Sequence, residues 1–509
     1  YTDVRLVFAP EFDIAFFGGD PDNFEYPRYD LDVCFFRAYE DGKPAQVEHY
    51  LKWSPRGSKE GELVFVAGHP GRTSRLNTVA HLEYLRDVGF PLSLSLLKNR
   101  EEHLLAYSKK GNEQARQAKE DLFGVQNSRK ARLGGLAGLK DESFMERKRQ
   151  AERALRDRIE ADPRKKAKYG AAWDKIAQSV RVQAELAKPY LFLEQGFAFD
   201  SRLFQIARTL VRLAVESGKP NAERLREYGD AARASLEQQL YSEAPIYPEF
   251  ETAKLANSLA FWKEQMGPDD PIVQRVLRGR APEQVAAELV KGSKLADVSV
   301  RKKLAEGGLK AIESSDDPMI KLALAVDADA RAVRKRREDE VEGVQTSQYA
   351  LIARALFEDQ GTSTYPDATF TLRLAFGTVK GYEQHGQEIP PYTTIGGAFE
   401  HAARHGNQPP YELPKSWIEA KQERRLRLDT PLNFVSTADI IGGNSGSPVV
   451  NQDGEVVGLI FDGNIYSLVL DFGYDDKLAR AVAVDSRGII EALRSIYRAE
   501  SLLQELTGR

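Results

Sequence analysis

The order of local patterns predicts an α+β protein in which a long helical stretch interrupts a β architecture. Three observations predict it: a β-patterned opening to about residue 75, a proline-poor run dominated by Ala, Leu, Glu, Lys and Arg over about 76–345, and a return of strand alternation and turn signals after it. At 509 residues the chain exceeds what one hydrophobic core organises, so two or three domains are expected.

In the opening region, "LDVCFFRAY" (31–39) is aromatic and β-branched, and "GELVFVAGHPG" (61–71) reads as a buried strand ended by Gly-His-Pro-Gly. "EDGKPA" (40–45) is a turn between them. In the middle region, Ala151, Leu155 and Ile159 recur at helical spacing, Pro163 closes that segment, and Trp173, Ile176 and Val180 fall on one face of the next. The mixed-charge run "RAVRKRREDEVE" (331–342) reads as a solvated helix face. No fixed-period repeat is present, which argues against a solenoid. The β pattern resumes after Thr362: in "ATFTLRLAFGTVKGY" (368–382) Phe370, Leu372 and Leu374 share one face, with Thr371 and Arg373 on the other. A final helix is expected over about 486–506. The domain reading is therefore 1–75, the end of a first β domain; 76–345, a helical insertion; 346–485, a second β domain; and 486–509, a C-terminal helix.

Composition excludes several classes. Hydrophobic residues make up 42% and charged residues 29%, with a formal net charge of −4, so neither general disorder nor a nucleic-acid partner is indicated. One cysteine, Cys34, precludes an internal disulfide framework. No apolar run reaches the roughly 18 residues of a membrane span. The chain opens at Tyr1 on what reads as strand and loop already under way, so an upstream segment is expected.

The segment with most chemical content is "DIIGGNSGSPVV" (439–450). A serine nucleophile needs its hydroxyl projected from a tight turn, with backbone N–H groups aimed at the developing oxyanion. Glycine supplies the positive φ that such a turn requires. Gly443 stands two residues before Ser445 and Gly446 directly after it, and the N–H groups of Gly443 and Ser445 would form the oxyanion hole. "QDG" then joins "PVVN" to "EVVGLIFDG" as a hairpin. This arrangement is that of the nucleophile in chymotrypsin-like peptidases. A triad adds a histidine base and a carboxylate. Asp32, in "YPRYDLDVCFF", is the candidate carboxylate. None of the seven histidines precedes it, and His69 is a poor base candidate, so the histidine is expected upstream of residue 1.

Taken together, "GGDPDNFEYPRYDLDVCFFRAYEDGKPA", "YPDATFTLRLAFGTVKGY", "GGNSGSPVVNQDGEVVGLIFDGN" and "VDSRGIIEALR" resemble the dipeptidyl-peptidase 7/11 family of bacterial serine peptidases, with the blocks in family order. The resemblance implies a chymotrypsin-like double β-barrel, its first barrel incomplete here, with a helical domain capping the cleft. It implies release of dipeptides from oligopeptides with a free N-terminus, a homodimer and a periplasmic location. Position by position it implies Ser445 as nucleophile, Asp32 as triad aspartate and Gly443 with Ser445 as oxyanion hole. Asp462, Asn23, Phe24 (where the family commonly has Trp) and Asn127 correspond to residues around the substrate's α-ammonium. Acid-specific members carry an arginine directly after the aspartate corresponding to Asp462. Here that residue is Gly463, which implies a neutral S1 pocket and a hydrophobic or broad P1 preference.

An endopeptidase and a catalytically inactive peptide-binding relative are the alternatives. Without its base, the chain as an isolated polypeptide is expected to be inactive. "HAARH" places His401 and His405 four apart, but without H-E-x-x-H they read as surface histidines. "RLGGLAGL" lacks a preceding strand and G-K-[ST], so no phosphate loop is indicated. No metal or organic cofactor is implied.

Overall fold

The computed structural model describes residues 1–361 and 366–508, so the point at Thr362 where the β pattern resumes lies outside the described residues. The chain divides into two units: Tyr1–Asn77, Leu133–Glu146 and Gln360–Arg509 form one, and Thr78–Arg132 with Arg147–Asp359 the other.

The first unit is built on β-strands. β1 (Asp3–Phe8), β2 (Phe35–Glu40) and β3 (Lys43–Pro44) form a small antiparallel sheet. β4 (Lys52–Trp53), β5 (Leu63–Gly68), β6 (Arg373–Thr378), β9 (Tyr392–Thr394), β10 (Pro431–Ser436), β11 (Pro448–Val450), β12 (Glu455–Gly463) and β13 (Ala481–Asp485) form a second sheet. β7 (Tyr382–Gln384) and β8 (Gln387–Ile389) make a separate hairpin. The main order is β6-β5-β11-β12-β13-β10-β9, with β4 pairing β12.

β5 corrects the domain reading. The sequence grouped it with residues 1–75, but it pairs with β11 (Val66 opposite Val449) and with β6, and thus belongs to the sheet that carries Ser445. Its buried alternate residues decide this: Val64 and Val66 are fully enclosed with Phe434, Val449, Val457 and Ile460. β6 alternates as predicted, but the small residues face in: Ala375 packs on that core, while Phe370, Leu372, Leu374 and Phe376 are 64–67% exposed. The C-terminal segment is not one helix. It forms Ser486–Glu491, continues helically to Ile496, turns at Arg498 (φ +52°) and restarts as Glu500–Thr507.

The glycines of "RLGGLAGL" have a packing role within this unit. A Cβ at Gly134 would lie 2.4 Å from Leu468, and one at Gly138 2.7 Å from Val469. Side chains there would displace the turn that follows β12.

The second unit is helical. Its helix Arg202–Ser217 buries Leu203, Phe204, Ile206, Ala207, Leu210 and Val211 against Leu255, Leu259 and Trp262 of Pro248–Met266 and Ile320, Ala323 and Val326 of Pro318–Arg337. Asp270, Asp297 and Asp317 cap their helices through side-chain oxygens. A second core joins Leu155, Ile159, Trp173, Ile176 and Val180, which include five of the six positions picked out by periodicity. Ala151 is exposed. Gly343–Gln360 is helical, so this unit runs past the boundary expected at 345. The mixed-charge run forms Arg334–Glu338, Lys335–Asp339 and Arg336–Glu340 pairs one helical turn apart.

Candidate active site

The Ser445 turn lies between β10 and β11 and is shaped by its own backbone. Asn444, 2% exposed, accepts the Ile441 N–H on Oδ1 at 3.1 Å, and its N–H returns to the Ile441 carbonyl. Gly443 has φ +104° and Gly446 φ +79°. At Gly443 a Cβ would lie 2.5 Å from the His69 carbonyl oxygen and 2.7 Å from Gly71 N. The turn is therefore pressed against the end of β5, and the Gly71 N–H donates to the Gly442 carbonyl at 2.7 Å. Ser445 is exposed. Among the described residues, the N–H groups of Gly443 and Ser445 donate to no protein acceptor. Two free N–H groups beside an exposed hydroxyl are what an oxyanion hole needs.

The turn is tied to the strand bearing Asp462. Gly446 N–H donates to the Ile460 carbonyl (2.7 Å), and Ile460 N–H to that of Ser447 (2.9 Å). Pairing of β12 with β13 slips between Ile460 and Asp462, a bulge that re-aims the following side chain. Asp462, 9% exposed, receives three donors: Gly463 N–H on Oδ1 (2.8 Å), and Phe24 N–H (3.0 Å) and Arg28 Nη1 (2.5 Å) on Oδ2. Phe24 makes its bond from φ +57°, a region that bulky residues rarely occupy. The structure thus brings the loop of Asn23 and Phe24 to Asp462, and Asn23 itself is buried.

Arg28 and Asp30 surround this carboxylate. Arg28 is 1% exposed, and its Nη2 lies 2.9 Å from Asp30 Oδ2. That pair is out of line for hydrogen bonding, so neither Asp30 oxygen accepts a bond. Enclosure pushes the Asp30 carboxyl up to about 8, against the pull of Arg28 and with the push of Asp32 and Asp462. The backbone of Asp30 is clamped by Asn433 on β10, which accepts its N–H and donates to its carbonyl, both at 2.8 Å. Asp32 precedes β2. Desolvation raises its pKa although the residue keeps exposed surface; Arg28 opposes this and Asp462 adds to it. Among the described residues, no histidine hydrogen-bonds Ser445 or Asp32; the His69 ring packs near Phe370. Asn127 lies on the helix Asn112–Lys140, in the part belonging to the helical unit.

The two histidines of "HAARH" are not simply surface residues. His401 Nε2 lies 2.8 Å from Asp22 Oδ2, and His405 stacks on Tyr411, whose hydroxyl donates to Asp22 Oδ1. They support the residue preceding Asn23. Among the described residues, no cluster of three or more His, Cys, Asp or Glu could hold a metal.

Residues 1–508 match the profile of the family described as Peptidase S46. This chain belongs to the peptidase S46 family. Its S46 relatives include an "Asp/Glu-specific dipeptidyl-peptidase" of Shewanella putrefaciens, 28% identical, covering 99% of this chain and 74% of that protein. A "Dipeptidyl-peptidase 7" of Phocaeicola vulgatus is 27% identical, over 100% of this chain and 72% of that protein. The Porphyromonas endodontalis DPP11 structure solved with the dipeptide Arg-Glu matches with a TM-score of 0.78 at 21% identity, covering 99% and 74% of the two chains. The likeness spans the mixed α+β architecture. The S46 chain is a serine peptidase of the dipeptidyl-peptidase type.

One expectation falls. The neutral or hydrophobic P1 preference drawn from Gly463 is overturned by the Asp/Glu-specific relatives, one from Shewanella putrefaciens and another, 26% identical, from Porphyromonas gingivalis. The physical reason is that one glycine removes one possible cation, whereas a pocket's charge is set by all its walls. Gly463 also has a local reason to be glycine: a Cβ there would lie 2.2 Å from Ser467 Oγ.

Sequence reasoning passed over Arg28, Asp30 and Asn433. The available signals were an arginine between two aromatic residues in "YPRYD" and an asparagine within the apolar strand "PLNFVS".

Proposed function

We propose that this chain carries the nucleophile of an exopeptidase that releases N-terminal dipeptides with Asp or Glu at P1. Ser445 attacks the scissile carbonyl, the N–H groups of Gly443 and Ser445 receive the oxyanion, and Asp32 orients the imidazole base. The base is the triad member that the described residues do not bring to Ser445. Asp462, with Asn23 and Phe24, receives the α-ammonium and so sets the cut two residues in. The observation that carries this reading is the Asp462 carboxylate, enclosed and bonded on a strand whose Ile460 is tied to the Ser445 turn. The acidic P1 preference is supported by the names of the Asp/Glu-specific relatives. Gly463 supplies no cation, so other pocket groups meet the acid. The family resemblance supports the finer features: a double barrel, a homodimer and a periplasmic location.

The test is a set of dipeptidyl reporters with Asp, Glu or Leu at P1, each free and N-acetylated, assayed with the full-length enzyme and its Ser445→Ala variant. Acidic free substrates should turn over fastest, and acetylation or Ser445→Ala should abolish release. Preference for Leu, equal cleavage of acetylated peptides, or activity surviving Ser445→Ala would each overturn the reading.

A further inference from the structure

We infer that Arg28 is a positioning residue for the substrate's N-terminus: it fixes the plane of the Asp462 carboxylate so that one acceptor direction is left for an incoming ammonium. This rests on the proposed role of Asp462. An ionised carboxylate offers about four lone-pair directions. Three are occupied, by Gly463 N–H on Oδ1 and by Phe24 N–H and Arg28 Nη1 on Oδ2. The remaining one, on Oδ1, suits a single ammonium hydrogen.

The guanidinium is itself held in place. Its Nη2 pairs with Asp30, and the rings of Phe461 and Phe16 lie 5.5 and 5.9 Å from its Cζ. Asp30 is in turn clamped at its backbone by Asn433. The order of support runs from β10 through Asp30 and Arg28 to Asp462. A planar fork can bridge two carboxylates in this way, whereas an ammonium on a flexible stem cannot. Arg28 is too enclosed to touch a peptide, so its influence passes through Asp462.

The test compares Arg28→Lys and the double variant Arg28→Met/Asp30→Asn, which removes both partners of the contact, with the wild type. Calorimetry measures binding of the dipeptide Arg-Glu, free and N-acetylated, and kinetics on the full-length enzyme separate KM from kcat. The wild type should bind the free dipeptide at least tenfold more tightly than the acetylated one. Both variants should lose most of that ratio, with KM rising about tenfold or more and kcat falling less. Arg28→Lys should keep more of the ratio than the double variant. If the wild type discriminates and either folded variant retains the full ratio, the role of Arg28 is refuted while that of Asp462 stands. If the wild type itself does not discriminate, the reading of Asp462 falls, and this inference with it.

Discussion

The Phe24 N–H donates to Asp462 Oδ2 at 3.0 Å across 438 residues of sequence, and Phe24 adopts φ +57° to do so. A phenylalanine in the left-handed region is strained by roughly 1–3 kcal/mol, and such strain persists only where the surroundings over-determine it. Here the surroundings are the buried Asn23 and the Arg28–Asp462 ion pair.

Asp462→Asn should do more harm than an isosteric change suggests. Three N–H donors converge on its two oxygens, so the amide NH₂ must face one of them, and Arg28 loses its charged partner at this position. Breaking a buried pair from one side costs roughly 3–5 kcal/mol. Urea denaturation should show this loss. Adding Arg28→Met should restore part of it, and strict additivity in the double-mutant cycle would count against the coupling.

Gly443→Ala should separate catalysis from binding. Its Cβ would meet backbone at His69 and Gly71, which cannot swing aside as a side-chain end can. The turn must shift, and with it the N–H group proposed to receive the oxyanion. A loss of at least about 100-fold in kcat is expected, with KM little changed. Steady-state kinetics of the full-length variant check it.

Asp30→Asn should alter the pH dependence of stability. The folded carboxyl is raised from 3.8 to about 8, chiefly by desolvation. For an acid raised on folding, the favourable contribution is complete below the unfolded value and is lost as pH rises through the folded one. Stability of the wild type relative to Asp30→Asn should therefore decline from about pH 4 to about pH 8, then level off. Melting temperatures of both proteins across that range provide the difference; a constant gap would refute it.

Asn433→Leu keeps the side chain's size but strands the Asp30 N–H and carbonyl in a closed environment. Each unsatisfied group costs roughly 1–3 kcal/mol. A fall in the urea midpoint with an unchanged m-value should follow. Because Arg28 loses its backing, affinity for the free dipeptide should fall too.

Local chemistry was legible in the sequence wherever one segment carried it. The glycines around Ser445 announced a turn with positive φ, the apolar run "LVFVAG" announced a buried strand, and Trp173, Ile176 and Val180 announced a helix face. Asp462 stood out only through family likeness, since at the end of a hairpin strand an aspartate looks like a turn residue.

The sequence by itself determined the α+β order, the helical interruption and the glycine-shaped turn at Ser445, because each depends on residues close together in the chain. Tertiary structure alone decided that β5 joins the Ser445 sheet, that small rather than large residues of β6 face the core, and that Arg28, Asp30 and Asn433 stand behind Asp462. Those outcomes come from pairings between segments hundreds of residues apart. Burial then turns an ordinary arginine and two aspartates into a single electrostatic unit, and no local pattern encodes which partner a buried charge will meet.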